Sequence, residues 1–169
     1  MANDAVGSEF LGFAVLRLQR SEREIARCCD QLSEEQMWRR GGDHENSVAN
    51  LLLHLAGNLR QWVLHGMGGQ PDVRRRDEEF VLTPVVPAAE ARALFTATVA
   101  ECCEVLHVLP PERLLEVINP QPGSIWGDLT MVAAIFQVVA HVQMHNGQIM
   151  LLSKQMLGRD LDLSMPRSR

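Results

Sequence analysis

The sequence predicts an all-α protein, an up-down four-helix bundle with long connections between helices 2 and 3 and between helices 3 and 4. Three observations predict it. Four long segments carry apolar residues at spacings of three and four, stretches rich in Gly and Pro separate them, and a single short run, Leu114-Leu115-Glu116-Val117-Ile118, offers a candidate strand. The chain has 169 residues, within the range of about 100–200 that one hydrophobic core serves. One domain over 1–160 is expected, with a polar, loose tail at 161–169.

The first helix is expected over 8–32, where Leu11, Val15, Leu18, Ile25, Cys29 and Leu32 line one face and Arg17, Arg20, Glu22, Arg23 and Glu24 fall largely between them. Ser33-Glu34-Glu35-Gln36 fits a capping box and starts a short turn ending in Gly41-Gly42. The second long helix is expected over 47–65, stopped by Gly66, Gly68 and Gly69, with Val48, Leu51, Leu52, Leu55, Leu59, Trp62 and Val63 on its core face. Residues 66–87 form a linker around Arg74-Arg75-Arg76-Asp77-Glu78-Glu79-Phe80. Charge runs of this kind are ordinarily solvated surface, although an arginine folded back over a cleft would suit a carboxylate or phosphate.

A third helix follows Pro87 over 88–107, with Ala91, Leu94, Phe95, Val99, Cys102 and Leu106 at core spacing, and Pro110-Pro111 ends it. The fourth runs over 129–157, with Asp128 as N-cap and Gly158 as stop. It carries no charge from 129 to 153, so it is expected to be the most buried helix. The pattern does not place Trp126.

Composition limits the function. A hydrophobic fraction of 46%, a charged fraction of 22% and a net charge of −5 describe a globular chain with no general attraction to nucleic acid or anionic membrane. The start, Met1-Ala2-Asn3-Asp4, lacks a basic signal region, and the uncharged C-terminal segment is interrupted by Gln143, His145, Asn146 and Gln148. A cytoplasmic protein without a membrane span is expected. Cys28-Cys29 and Cys102-Cys103 are adjacent pairs rather than CxxC motifs, so one member of each is expected to pack inward, without disulfides.

Two uncharged polar stripes carry the chemistry. On the second helix Ser47, Asn50, His54, Asn58, Gln61 and His65 recur at spacings of three and four, which confines them to an arc of about 80° at 100° per residue. Arg60 is the one charge on that helix. Such a stripe between leucines is either the wall of a cleft or a set of satisfied interior polar groups. On the fourth helix Thr130, Gln137, His141, His145 and Gln148 form the counterpart, and His141 and His145 sit one turn apart as a metal-chelating pair would. If the stripes face each other, His54, His141 and His145 converge on one divalent transition metal, most simply Zn²⁺ with open positions, with Ni²⁺, Fe²⁺ and Mn²⁺ as alternatives. Asn50, Asn58, Gln137 and Gln148 are then candidates to orient the ligands or touch substrate.

These residues also carry a resemblance. The run Asn46-Ser47-Val48-Ala49-Asn50-Leu51-Leu52-Leu53-His54-Leu55-Ala56-Gly57-Asn58, followed by His141 and His145-Asn146-Gly147-Gln148-Ile149, resembles the DinB/YfiT-like superfamily, and more narrowly a branch of unknown function with a run like Arg76-Asp77-Glu78-Glu79-Phe80. The resemblance spans nearly the whole chain. It implies an up-down bundle, a metal-binding triad at His54, His141 and His145, and a homodimer. It also implies an activity in the range of thiol-dependent transferases and isomerases that use low-molecular-weight thiols such as bacillithiol or mycothiol. Met144 stands where the superfamily commonly has a further histidine, which puts in doubt any role tied to that imidazole.

The expected function is therefore a metal-dependent enzyme acting on a small molecule, the metal activating water or a low-molecular-weight thiol for hydrolysis or thiol transfer. The catalytic residues are not identified. Ser47 lacks a Ser-His-Asp context, His65 or Glu45 would serve as a general base only if one were required, and His44 and His107 are expected to be structural or exposed. The alternative is a non-catalytic metal- or small-molecule-binding bundle of a stress-response kind.

Overall fold

The computed structural model describes residues 2–163 except 121, 123, 124 and 126. Five α-helices form it: α1 (Ala2–Cys29), α2 (Glu34–Trp38), α3 (Val48–Leu59), α4 (Ala88–Val108) and α5 (Met131–Leu157). No strand occurs among the described residues. The candidate strand is instead a 3-10 turn, Pro111–Leu115, followed by an isolated antiparallel bridge from Val117 to Thr130. Trp126 lies outside the described residues.

Local chemistry sets the helix ends. Ser33 and Ser47 both form capping boxes, with Gln36 and Asn50 as the reciprocal partners, so each satisfies two amide donors that an open helix end would leave bare. α3 continues into a π-helical stretch, Arg60–His65, before Gly66. Gly158 closes α5 at φ 64°, the left-handed conformation that glycine adopts without steric penalty. At the start of α5 the N-cap is Thr130 rather than Asp128.

α1 packs against α4 and α5, and α3 packs against the same two helices. Side-chain pairs give the directions. Arg17 bonds Gln143 and Asn146 bonds Glu24, so α1 and α5 run the same way. Thr96 bonds Glu22 while Arg92 bonds Asp30, so α4 opposes α1. Leu53 and Leu94 border one recess, and Cys102 meets the Leu59 carbonyl, so α3 and α4 are parallel. Simple up-down alternation is thus corrected: the order is up, down, down, up. A parallel neighbour requires the chain to return along the full helix, which accounts for the long 66–87 connection.

The core lies between all four long helices. Leu18, Ile25, Leu51, Leu52, Leu55, Leu59, Phe95, Leu106, Ile135 and Ile149 are fully buried, each contributing about 1.5–3 kcal/mol relative to exposure. Three further expectations are corrected. All four cysteines are buried, because α1 and α4 each pack on more than one neighbour and so bury more than one face. The most buried helix is α3, whereas α5 exposes Phe136, Met144 and Leu151. Leu161, at the start of the expected loose tail, is 4% exposed and belongs to the core, while 164–169 lie outside the described residues. No helix among the described residues is long and apolar enough to cross a membrane.

Candidate metal centre

The stripes of α3 and α5 do face each other. His54 projects from α3 and His141 and His145 from successive turns of α5, and one ring nitrogen from each lies within 4.8 Å of the others. His54 and His145 are buried and His141 is half-buried. His54 Nε2 and His141 Nε2 lie 2.9 Å apart. The three rings meet edge to face, with centroids 4.5–5.1 Å apart.

Hydrogen bonding turns the outer nitrogens away from the centre. His54 Nδ1 lies 2.8 Å from Glu79 Oε2, and His145 Nδ1 lies 2.7 Å from Gln148 Oε1. Both oxygens only accept, so each Nδ1 carries a proton, and in the neutral ring the lone pair is on Nε2. The acceptor at His54 Nε2 then takes its proton from His141 Nε2–H.

Electrostatics keeps the two α5 histidines neutral. Burial, reinforced by the neighbouring His145 and His54, pushes the His141 pKa down to about 4. Burial likewise lowers that of His145, against the opposing pull of its bond to Gln148. These imidazoles therefore offer lone pairs rather than charge at neutral pH.

Glu79 reaches the site from the 66–87 connection, within a 3-10 turn, Arg76–Phe80. Burial alone would raise its pKa, but hydrogen bonds from Arg74 and His54 outweigh that and hold it below the usual carboxylate range. Arg74 donates to both carboxylate oxygens, Nε to Oε1 at 2.7 Å and Nη2 to Oε2 at 2.9 Å. Because Arg74 Nη2 and His54 Nδ1 share Oε2, they stand 3.3 Å apart. The reading of this run as solvated surface is corrected for two of its members: the Arg74 and Glu79 side chains are each 7% exposed. Composition alone could not select them, since Arg75 and Glu78 beside them are exposed.

The remaining expected residues divide. Gln148 orients His145, and Asn50 donates to the backbone carbonyls of Glu79 and Val81, at 2.9 and 3.2 Å. Asn58 keeps a buried Oδ1 with no partner among the described residues, and Gln137 is half-buried. His65 bonds the Gln70 carbonyl and Glu45 the Gly41 amide, while His44 and His107 are exposed. A groove of about 830 Å³ lies elsewhere, between α1 and α5.

Three imidazoles bound to one tetrahedral Zn²⁺ at about 2.0–2.1 Å would place their nitrogens about 3.4 Å apart, and the spacing here brackets that value. Fold and site together define an all-helical protein whose three-histidine cluster has a donor set suited to a divalent metal. The chain belongs to the family described as "Protein of unknown function (DUF1572)", whose model matches residues 5–169. No curated protein matches it.

Proposed function

We propose that the protein is a metal-dependent enzyme acting on a small molecule, built on a four-helix bundle of the DinB/YfiT-like kind, with His54, His141 and His145 as ligands of a divalent transition metal. One observation carries this reading: three imidazoles from two helices converge, and among the described residues no fourth His, Cys, Asp or Glu joins their group. Three protein ligands with a position left open is the catalytic pattern, whereas structural zinc sites close with four. The metal, most simply Zn²⁺, would lower the pKa of water or of a low-molecular-weight thiol held at that position.

The residues around the triad have separable tasks. His54 and His145 present Nε2 because Glu79 and Gln148 occupy their Nδ1 atoms. Asn58, one turn beyond His54, has a buried amide oxygen in need of a donor, and with Gln137 it is our candidate for substrate contact. The groove between α1 and α5 is lined by Val6, Phe13 and Phe136, which are 71%, 57% and 69% exposed, and suits a second copy of this chain.

The competing account is an imidazole pair that merely satisfies itself, since the His54–His141 bond needs no metal. It leaves the nearby His145 Nε2 without a purpose. Metal analysis of purified wild type, H54A and H141A separates the two accounts. Near-stoichiometric metal in wild type and loss in both variants supports the site; equal, negligible metal in all three sinks it. Assaying thiol addition to electrophiles beside hydrolysis of simple esters then distinguishes thiol from water as the activated group.

A further inference from the structure

We propose that Glu79 is the positioning residue of this site and that Gly57 is the glycine that makes its approach possible. The inference rests on the metal reading above and adds to it two residues that ligate nothing. It begins with α3. An ideal Cβ built on Gly57 would stand 2.1 Å from Glu79 Oε1, 3.0 Å from Glu79 Cδ and 3.2 Å from Arg74 Nε. No side chain fits there while the carboxylate stays in place. Glycine is a poor residue for a helix interior, since it gives up the most backbone freedom on ordering, and this recess is a physical reason for its presence.

The carboxylate cannot simply step aside. Arg74 holds both of its oxygens, and Arg74 is itself held by Gln61 Oε1 at 3.0 Å. Gln61 Nε2 donates to Asp72 Oδ2 at 2.9 Å, and Asp72 Oδ1 accepts from the Arg74 amide at 3.0 Å. Farther along the connection, Asn50 binds the Glu79 and Val81 carbonyls, and Arg40 donates to those of Phe80 and Val81. Asn50, His54 and Gln61 all belong to the polar stripe of α3. That stripe therefore laces down the returning connection along its length, with Gly57 as the gap through which the Arg74–Glu79 pair is seated.

Seated there, Glu79 accepts a hydrogen bond from His54 Nδ1–H and fixes the tautomer whose Nε2 lone pair faces His141. A carboxylate behind a ligating imidazole also raises its basicity, and loss of such a partner weakens metal binding about 10–100-fold. Replacing Gly57 by alanine should have the same effect, although it changes no charge and no ligand.

The experiment measures Zn²⁺ affinity by chelator competition at pH 7.5, and the His54 tautomer by ¹⁵N NMR in the metal-free protein, for wild type, E79Q, G57A, E79A and E79A/G57A. Affinity should fall about 10–100-fold in E79A and in G57A, with His54 moving away from its Nδ1–H form in both, whereas the amide oxygen of E79Q, like that of Gln148, still accepts from Nδ1–H and keeps the tautomer. Adding G57A to E79A should change little further, because the side chain truncated by E79A no longer reaches the recess. Should G57A fail to fold, E79A alone decides. Unchanged affinity and tautomer in E79A and G57A would overturn the proposal while leaving the triad standing. A wild type that takes up no Zn²⁺ would defeat the metal reading instead, and the tautomer would still decide what Glu79 does.

Discussion

Replacing Arg74 by Ala separates a buried charge pair from a decorative one within a single run of arginines. The Arg74 and Glu79 side chains are both 7% exposed, whereas those of the neighbouring Arg75–Glu78 pair are 78% and 66% exposed. Removing one partner of a buried pair strands the other and costs about 3–5 kcal/mol. Glu79 would keep His54 as a partner at 2.8 Å, which puts R74A near the lower end, about 3 kcal/mol. With a melting entropy of about 2.1 cal/mol/K per residue over 169 residues, that corresponds to a drop in Tm of about 8 °C. R75A disturbs a solvated pair and should stay within about 0.5 kcal/mol of wild type. Melts followed by circular dichroism at pH 7.5 with EDTA present remove any contribution from bound metal. R74A/E79L, which deletes both charges, should regain part of the loss. If R74A and R75A melt within about 2 °C of each other, close to wild type, the connection is not docked on α3 and the burial argument fails.

Two further outcomes follow from other buried groups. Burial pushes the thiol of Cys29 up to about 12 and raises those of Cys28, Cys102 and Cys103; a disulfide reagent at pH 7.5 should therefore titrate four thiols rapidly only after denaturation, and a fast-reacting thiol in the native protein would contradict this packing. For His141 the folded pKa of about 4 lies below its ordinary 6.5, so between those values the unfolded chain binds the extra proton and stability must fall as pH drops from 6.5 toward 4. Urea titrations of metal-free wild type and H141Q across that window should show the steeper acid loss in wild type, and parallel curves would remove His141 as its source.

Much of the fold was legible because periodicity and capping are local. Ser33 was readable as a cap, the α3 stripe as one face, and Gly158 as a stop, since each signal lies within a few residues of the structure it predicts. Helix direction was harder. An apolar stripe says which face is buried, not which helix covers it, and α1, α3, α4 and α5 all bury apolar stripes. The connection lengths held part of the answer, since the 66–87 link is long enough for a parallel return, but the links 30–47 and 109–130 are also long and join antiparallel helices. An antiparallel neighbour needs only about 2–8 residues of link, whereas a parallel one needs chain enough to travel back. A 21-residue α4 is about 31 Å long at 1.5 Å per residue, a distance that about ten extended residues barely cover. The 66–87 connection is longer than that and passes beside α3 on its way.

The candidate site divides along the same line. His54, His141 and His145 share helical faces with polar neighbours, so their convergence could be anticipated from spacing. Arg74 and Glu79 share no helix with them, and a run of alternating charges does not reveal which members turn inward. The missed signal lies on α3 itself. Gly57 interrupts a leucine-rich helix three residues after a candidate ligand, on a segment whose one charge is Arg60. A helical glycine at such a place marks where something approaches closely, and an imidazole with an uncharged polar stripe around it calls for an acceptor behind its second nitrogen. Joined, those two demands specify a carboxylate arriving from outside the helix at the level of Gly57. The one long connection that runs back along α3 carries two buried candidates for that contact, and they are the ion pair that fills the recess.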